Sequence, residues 1–281
     1  MVSLTVFVTK FDGTKQQYSR AKIIKTSIRM GASKQVAESI ANHVETRLYD
    51  GIETKKILQM IFRKLKKHKP SVKHQIDLRR ALGLLRSAPD FEIFVQMLLA
   101  EHGYNVTPNS IIKGICVEHE VDGIVRKDGK TAILEVKHHF DHHTPTNLDV
   151  SRISRAVFED VTEGYQNGFN DLKIDYAMIV CNTKLTNHAK RYADCRGIKH
   201  IGWSSPKNHD LQTMIEEKRF YPVTYLRGLK VDSRKRLTSE GIVSLKQLVE
   251  KNPKELRRKT GISRDKLELI ISKAQAVLSG N

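Results

Sequence analysis

The chain has 281 residues, 39% of them hydrophobic and 28% charged, as is typical of a soluble globular protein with one to three domains. The chain has no apolar run of the roughly 18 residues that a membrane span needs, and its N-terminus lacks the apolar segment of a signal peptide. Three cysteines without metal-like spacing indicate reduced residues of a cytoplasmic protein. The formal net charge of +18 predicts an anionic partner, with nucleic acid as the leading class.

Positive charge is concentrated at the two ends of the chain. Residues 1–88 carry 19 Lys or Arg against 6 Asp or Glu, residues 89–210 carry 14 against 17, and residues 211–281 carry 16 against 8. We therefore predict three domains with these boundaries. An acidic metal centre flanked by basic segments that contact the phosphates of a nucleic acid would explain this distribution of charge.

The N-terminal segment is predicted to be a short hairpin followed by helices. Residues 2–8 alternate around Leu4, Val6 and Val8, which predicts a strand that ends in a turn near Gly13. Ser19 is a candidate helix cap. Helical periodicity then recurs in 33–49, 53–66 and 71–86.

Several residues of this segment resemble the start of the ATP-cone, a nucleotide-binding regulatory domain. The matching pattern is Val8-x-Lys10-x-Asp12-Gly13, then Tyr18, then Lys22-Ile23. The resemblance implies that Lys10 and Lys22 contact the triphosphate of ATP or dATP. Phe11 replaces an arginine that is common in that family. The alternative is that both lysines belong to a basic surface that contacts DNA. The chain has no Gly-x-x-x-x-Gly-Lys-Ser/Thr loop, so we expect a nucleotide to regulate the protein rather than supply energy.

The middle segment begins at Ser87-Ala-Pro-Asp90, where we expect Asp90 to cap a helix that starts at Phe91 and ends at Gly103. A β-hairpin over 117–137 is predicted from two alternating apolar runs around Asp128-Gly129. Further elements are predicted in this order: a helix over 147–169, a strand over 174–180, a helix over 186–196 and a strand over 197–203.

The turn sets the register of the hairpin. If Lys127 faces Lys130, then Asp122 faces Glu135 and Glu120 faces Lys137, all on one face of the strands. Facing carboxylates repel each other unless a cation or a proton lies between them. Two carboxylates beside a lysine suit Mg²⁺, which usually keeps several waters. The alternative is a solvated hairpin face whose charges only alternate in sign.

Asp122 followed by Glu135-Val-Lys137 resembles the PD-(D/E)XK signature, and the Mrr-like branch of the restriction-endonuclease superfamily fits best over about 89–207. The resemblance implies an α/β fold with a mixed-sheet core. Asp122 and Glu135 would bind Mg²⁺ or Mn²⁺, Lys137 would be the catalytic lysine, and Glu92 would be an auxiliary acid. Glu120 would orient Lys137 or a second ion. Val121 stands where the signature has proline.

Four histidines and an aspartate follow the lysine strand, in His138-His-Phe-Asp-His-His143. Imidazoles suit Zn²⁺ and other transition metals. Phosphate contacts or the ordinary polarity of a loop explain the run equally well.

The C-terminal segment contains two similar units, one around Gly241-Ile242 and one around Gly261-Ile262. Together they resemble a pair of helix-hairpin-helix motifs in a small all-α domain, which grip DNA backbones without reading sequence. Cations near the two glycines are Lys235, Arg236, Arg257, Arg258, Lys259 and Arg264. The alternative is a helical interaction domain in which the glycines only end helices.

The sequence therefore predicts a metal-dependent deoxyribonuclease, flanked by an ATP-cone-like regulator and a helix-hairpin-helix-like tail. The main alternative is a non-catalytic, nucleotide-responsive DNA-binding regulator that keeps the nuclease fold. A nuclease acting on RNA or branched junctions is a third possibility. Cutting both strands of a duplex would favour a homodimer.

Overall fold

The computed structural model describes residues 5–68 and 73–280, and these form two compact units. The first contains the described parts of Met1–Ile76, Leu226–Gly228 and Leu269–Asn281, and the second contains Asp77–Tyr225 and Leu229–Glu268. The division does not coincide with the predicted boundaries, because residues 77–88 and most of 211–281 belong to the same unit as the predicted nuclease core.

The first unit is a small sheet with three helices. Its strands are β1 (Phe7–Thr9), β2 (Lys15–Gln17) and β3 (Ile52–Glu53), in the order β2-β1-β3, with β1 antiparallel to β2 and parallel to β3. Its helices are α1 (Arg20–Arg29), α2 (Lys34–Glu45) and α3 (Thr54–His68).

The apolar side chains of these helices and strands form one core, as their periodicity predicts. Its most buried members are Ala37, Ile40, Ala41, Val44, Ile52, Ile61 and Leu65. Ser19 occupies the N-cap position of α1, as predicted, but among the described residues its side chain makes no cap hydrogen bond. The Ser33 hydroxyl caps α2 by accepting a hydrogen bond from Val36 N–H at 3.3 Å. The short strand β3 was not predicted. Leu4, which was assigned to the first strand, lies outside the described residues.

The second unit begins with α4 (Leu78–Gly83), a π-helical turn (Ser87–Phe91) and α5 (Glu92–Glu101). Its remaining elements follow in chain order: β4 (Asn105–Lys113), β5 (Glu118–Lys127), β6 (Lys130–Lys137), α6 (Leu148–Gln166), β7 (Tyr176–Cys181), α7 (Asn187–Cys195), β8 (Lys199–Ile201), α8 (Leu211–Lys218), a 3₁₀ turn (Val223–Tyr225), α9 (Val231–Ser239), α10 (Leu245–Glu250), α11 (Pro253–Thr260) and the start of α12 (Arg264–Ser279). From Leu269 onward, α12 belongs to the first unit in addition to the three helices given above.

The sheet of this unit is mixed, as expected for a restriction-endonuclease-like core. Its five strands run in the order β4-β5-β6-β7-β8, with β4, β5 and β6 antiparallel and β6, β7 and β8 parallel. All six residues of β7 are buried, which explains its continuous apolar sequence, because a strand covered on both faces does not alternate. The Thr186 hydroxyl caps α7, at the residue where the sequence predicted that helix to begin.

Two local predictions were wrong. Of the helix expected over 71–86, the described residues 73–86 form an α-helix only over the six residues of α4, with Asp77 as its cap. Asp90 does not cap α5: its buried carboxylate accepts hydrogen bonds from the Arg86 guanidinium at 2.6 and 2.9 Å and from Arg86 N–H at 3.3 Å. The π-helical turn brings Arg86 to Asp90, so this carboxylate is neutralised by a cation instead of by a helix end.

No helix within the described ranges combines the length and the apolar character that crossing a bilayer requires.

Candidate active site

The hairpin of β5 and β6 has the predicted register as far as its ladder extends, but the ladder does not include the predicted pairs Asp122–Glu135 and Glu120–Lys137. Its antiparallel pairs run without interruption from Lys127 facing Lys130 to Gly123 facing Leu134. Both residues of the Asp128-Gly129 turn have positive φ, 53° and 72°, as a type I′ turn requires. The Asp-Gly signal therefore identified both the turn and the alignment of the strands.

The hydrogen-bonded pairing of β5 with β6 ends just before Asp122. There the Asp122 side chain, instead of a backbone carbonyl, accepts a hydrogen bond from β6. The Asp122 Oδ2 atom accepts a hydrogen bond from Val136 N–H at 2.6 Å. On the other side of β5, pairing with β4 skips Asn109, which has a positive φ of 38°. Asp122 thus lies at a local break in the sheet, and its carboxylate is fixed against β6 beside Glu135.

Glu135 has the most perturbed carboxyl group of the site. Its backbone faces Ile179 of β7, and its side chain is largely buried. Burial is the main cause that raises the pKa of Glu135 to about 7; the negative charges of Asp122 and Glu92 contribute to this rise, and Lys137 opposes it. An ionised Glu135 therefore needs a compensating positive charge at neutral pH.

The other predicted acids belong to the same cluster. Burial raises the pKa of Asp122; the Val136 N–H hydrogen bond and Lys137 oppose this rise, and the charge of Glu120 adds to it. At the start of α5, burial raises the pKa of Glu92, and the charges of Asp122 and Glu120 contribute. The structure thus brings Glu92, Glu120, Asp122, Glu135 and Lys137 within electrostatic reach of one another.

Sequence reasoning missed Gln96, which supports the break at Asp122. The Gln96 Nε2 group donates hydrogen bonds to the Asp122 carbonyl at 2.7 Å and to Asn109 Oδ1 at 3.2 Å. Gln96 follows Glu92 by four residues on α5, so both lie on one face of the helix. The spacing of four residues was the signal available in the sequence, because a glutamine on the same helix face as a predicted acid points to a polar site.

The donor set fits a divalent cation of the magnesium type. Among the described residues, no group of three or more His, Cys, Asp or Glu side chains is arranged to hold a metal ion. Mg²⁺ requires fewer protein ligands, usually one or two carboxylates with several waters. Asp122 and Glu135 provide two carboxylates whose mutual repulsion a cation would remove. Asp122 and Glu135 therefore suit Mg²⁺, which keeps several waters, better than they suit a metal ion whose ligands all come from the protein.

The histidine run forms an anchored loop. His138 Nε2 lies 3.1 Å from the Leu82 carbonyl oxygen, and its ring packs against Phe91 with centroids 5.1 Å apart. The His139 backbone is held on both sides by the Asn182 amide, with N–H to Oδ1 at 2.8 Å and Nδ2 to O at 2.7 Å. These contacts give the His138 ring and the His139 backbone structural partners directly after the lysine strand, whereas the buried Nε2 atom of the His139 ring has no hydrogen-bond partner among the described residues.

Lys10 and Lys22, the predicted nucleotide contacts, both lie in the first unit and are exposed. Lys10 begins the turn of the β1–β2 hairpin, where its N–H donates to the Thr14 carbonyl at 2.9 Å. Lys22 lies in the first turn of α1. Their contact with ATP or dATP stays a prediction.

The C-terminal glycines occupy helix ends of the predicted kind. Gly241 follows α9 and Gly261 follows α11, with φ of 69° and 63°. Three nearby cations form ion pairs within their own helices: Arg236 with Asp232, Lys259 with Glu255 and Arg264 with Glu268. Exposed pairs of this type are weak, so they leave these cations available to a phosphate.

The mixed sheet and its acidic cluster belong to a restriction-endonuclease-like domain. Residues 86–202 match the family model described as Restriction endonuclease, a segment that runs from the π-helical turn past β8. Residues 221–278 match a second model, described as AF1548-like, C-terminal. The nuclease-like domain expected from the Asp122, Glu135 and Lys137 spacing is therefore confirmed, whereas the individual roles of these residues are a matter for experiment.

The chain belongs to the AF1548-like family. It is 34% identical over 183 residues to an uncharacterised protein of Archaeoglobus fulgidus, and the alignment covers 64% of this chain and 98% of that protein. A second uncharacterised protein of the same organism is 47% identical over 38 residues, which are 14% of this chain and 81% of that relative. The crystal structure of AF1548, a protein of unknown function, shares 33% identity and a TM-score of 0.57, over 68% of this chain and 97% of that one.

Proposed function

We propose that this protein is a metal-dependent endonuclease that hydrolyses phosphodiester bonds of DNA, with Mg²⁺ or Mn²⁺ as its cofactor. One observation carries the proposal: three partly buried carboxylates and one lysine meet where the β5–β6 ladder ends, and burial with mutual repulsion raises the pKa of Glu135 to about 7. Such a cluster is costly without a cation, and perturbed acids of this kind are concentrated at functional sites.

Asp122 and Glu135 would hold the cation. When bound, Mg²⁺ supplies positive charge that stabilises negative charge developing on the phosphate under attack. Lys137, on the exposed end of β6, would place its ammonium group beside the same phosphate and stabilise that charge. Glu120 would orient Lys137, and Glu92 would act as an auxiliary acid. Gln96 would keep Asp122 in position through its carbonyl.

The N-terminal segment would bind a nucleotide that regulates the enzyme, and the C-terminal segment would bind DNA. Exposed Lys10 and Lys22 would contact the phosphates of ATP or dATP, which would act as an effector. The turns at Gly241 and Gly261 would present backbone N–H groups to DNA in the manner of helix-hairpin-helix motifs.

Cleavage assays test the proposal directly. Supercoiled, linear, single-stranded and four-way-junction DNA would be incubated with Mg²⁺, Mn²⁺ or EDTA, with and without ATP or dATP. We expect metal-dependent cutting that falls about a hundredfold or more in Glu135→Gln and in Lys137→Ala, as is usual when a group that stabilises transition-state charge is removed.

Matched controls lie on the same hairpin. Glu118→Gln and Lys130→Ala remove the same charges from exposed positions that lie outside the acidic cluster, and both variants should cut like the wild type. DNA binding without cutting, equal in wild type and in the Glu135 and Lys137 variants, would instead identify a non-catalytic DNA-binding regulator. A nucleotide effect that disappears in Lys22→Ala would support the assignment of the N-terminal unit.

A further inference from the structure

A small cavity in the first unit is lined almost entirely by cations. Its volume is about 130 Å³, and its lining consists of Phe62, Arg63 and Lys66 of α3 together with Lys73 and Arg227. Arg63 and Lys66 are three residues apart, so their side chains are neighbours on the helix surface. No carboxylate is among the described residues that line this cavity.

Hydrogen bonds hold Arg227 in place at this cavity. Its backbone N–H donates to the His74 carbonyl at 2.7 Å, and its Nε–H donates to the Gln75 carbonyl at 3.0 Å. Gln75 and Leu226 form an isolated antiparallel bridge that fixes the two segments together. A guanidinium carries five N–H donors in a planar fork, so the Nε bond orients the group while its end remains able to bind an oxyanion.

Positive charge continues beyond the cavity. The pKa of His43 is lowered by burial and then by a group of cations on α3 and next to it, namely Arg47, Lys64, Arg63 and Lys67. Burial, Lys73 and Lys273 lower the pKa of His74 in the same way. Arg63 therefore belongs to the cavity and also to a wider group of cations. These cations repel one another, and a bound anion would reduce that repulsion.

The size of the cavity decides which anion fits. Pockets that enclose a whole drug-sized or nucleotide-sized ligand usually measure roughly 300–1,000 Å³, whereas about 130 Å³ accommodates little more than a phosphate group. The cations next to the cavity suit a ligand that carries several phosphates along one backbone. We propose that this cavity binds one phosphate of a DNA backbone, with the adjacent cations contacting the next phosphates.

This inference rests on the proposed function only in taking DNA as the ligand. It concerns residues other than Lys10 and Lys22, and it does not require catalysis. A DNA-binding surface on the first unit would give that unit a role in holding substrate in addition to any role in sensing nucleotides.

Fluorescence anisotropy with a labelled 30-base-pair duplex tests the inference, using the full chain in EDTA to prevent cleavage. The test variant is Arg63→Gln/Lys66→Gln, and Lys73→Gln is a second variant on a different segment. The control, Lys34→Gln/Lys55→Gln, removes two exposed charges from α2 and α3 outside the cavity. Thermal melting of each variant verifies folding.

We expect the cavity double variant to bind about tenfold more weakly, as for the loss of one charge-assisted phosphate contact. The slope of log affinity against log salt should fall by about 1 to 2, whereas the control should keep both affinity and slope nearly unchanged. Lys73→Gln should shift both quantities in the same direction as the double variant.

Three results would overturn the inference: no duplex binding by the wild type, equal losses in the cavity and control variants, or a cavity variant that keeps wild-type affinity for the duplex but loses binding of ATP. The last result would assign the cavity to nucleotide phosphates. A cavity-dependent loss of binding in a protein that cuts nothing would leave the inference standing and refute only the endonuclease.

Discussion

Replacing Glu135 by glutamine should stabilise the metal-free protein at pH 8 while it abolishes cleavage. The carboxyl group has an ordinary pKa of 4.5 in the unfolded chain and a pKa of about 7 in the folded one. Between these values the folded state binds the extra proton, so the free energy of unfolding falls as pH rises through this window. At about 1.36 kcal/mol per pKa unit, the wild type loses roughly 3 kcal/mol by pH 8.

Glutamine has the same shape and no charge, so the variant avoids this loss. Any cost of burying the amide is the same at both pH values and cancels in the comparison. We therefore expect the stability advantage of Glu135→Gln over wild type to grow by about 3 kcal/mol between pH 4 and pH 8. The advantage should shrink when Mg²⁺ is added, because the cation stabilises only the wild-type carboxylate.

Thermal unfolding in EDTA, followed by circular dichroism across this pH range, measures the effect. The exposed Glu118→Gln, at the start of β5, is the matched control and should follow the wild type at every pH. If Glu135→Gln differs from wild type by the same amount at pH 4 and pH 8, the carboxylate is not destabilised by its surroundings. The argument for a cation site would then fail.

Substitutions at three further positions test the contacts that support the site and the C-terminal turn. Gln96→Leu leaves the Asp122 carbonyl without its 2.7 Å donor, so kcat should fall about tenfold or more while duplex binding in EDTA is retained. Asn182→Leu removes both hydrogen bonds to the His139 backbone and should lower the free energy of unfolding by about 2 kcal/mol, measured by urea titration. Gly261→Ala should lower it by about 1 kcal/mol because φ is 63°, and Gly261→Asn, which tolerates that conformation, should lower it less; equal melting temperatures for both would contradict this account.

Local features of the sequence were sufficient for most helices and for the β5–β6 hairpin. A two-residue Asp-Gly turn has few backbone solutions, and side chains alternate strictly along a strand, so the turn determined which residues share a face. Helix starts marked by Ser33 and Thr186 were equally local, because a cap depends on residues only three positions apart. The segment 71–86 shows the limit, since its periodicity extended beyond the helix that formed.

Tertiary structure alone decided which side chains come together at the candidate site. Glu92 and Gln96 reach Asp122 from α5, across 30 and 26 positions of sequence, and no local pattern specifies that distance. The pKa of about 7 at Glu135 depends on burial and on charges from separate elements. Arg227 likewise joins Arg63 only because the chain returns to the first unit after the 149 residues Asp77–Tyr225 of the second. Backbone geometry is set by near neighbours and can be read along the chain, whereas burial and Coulomb energies depend on distances through space, which exist only after folding.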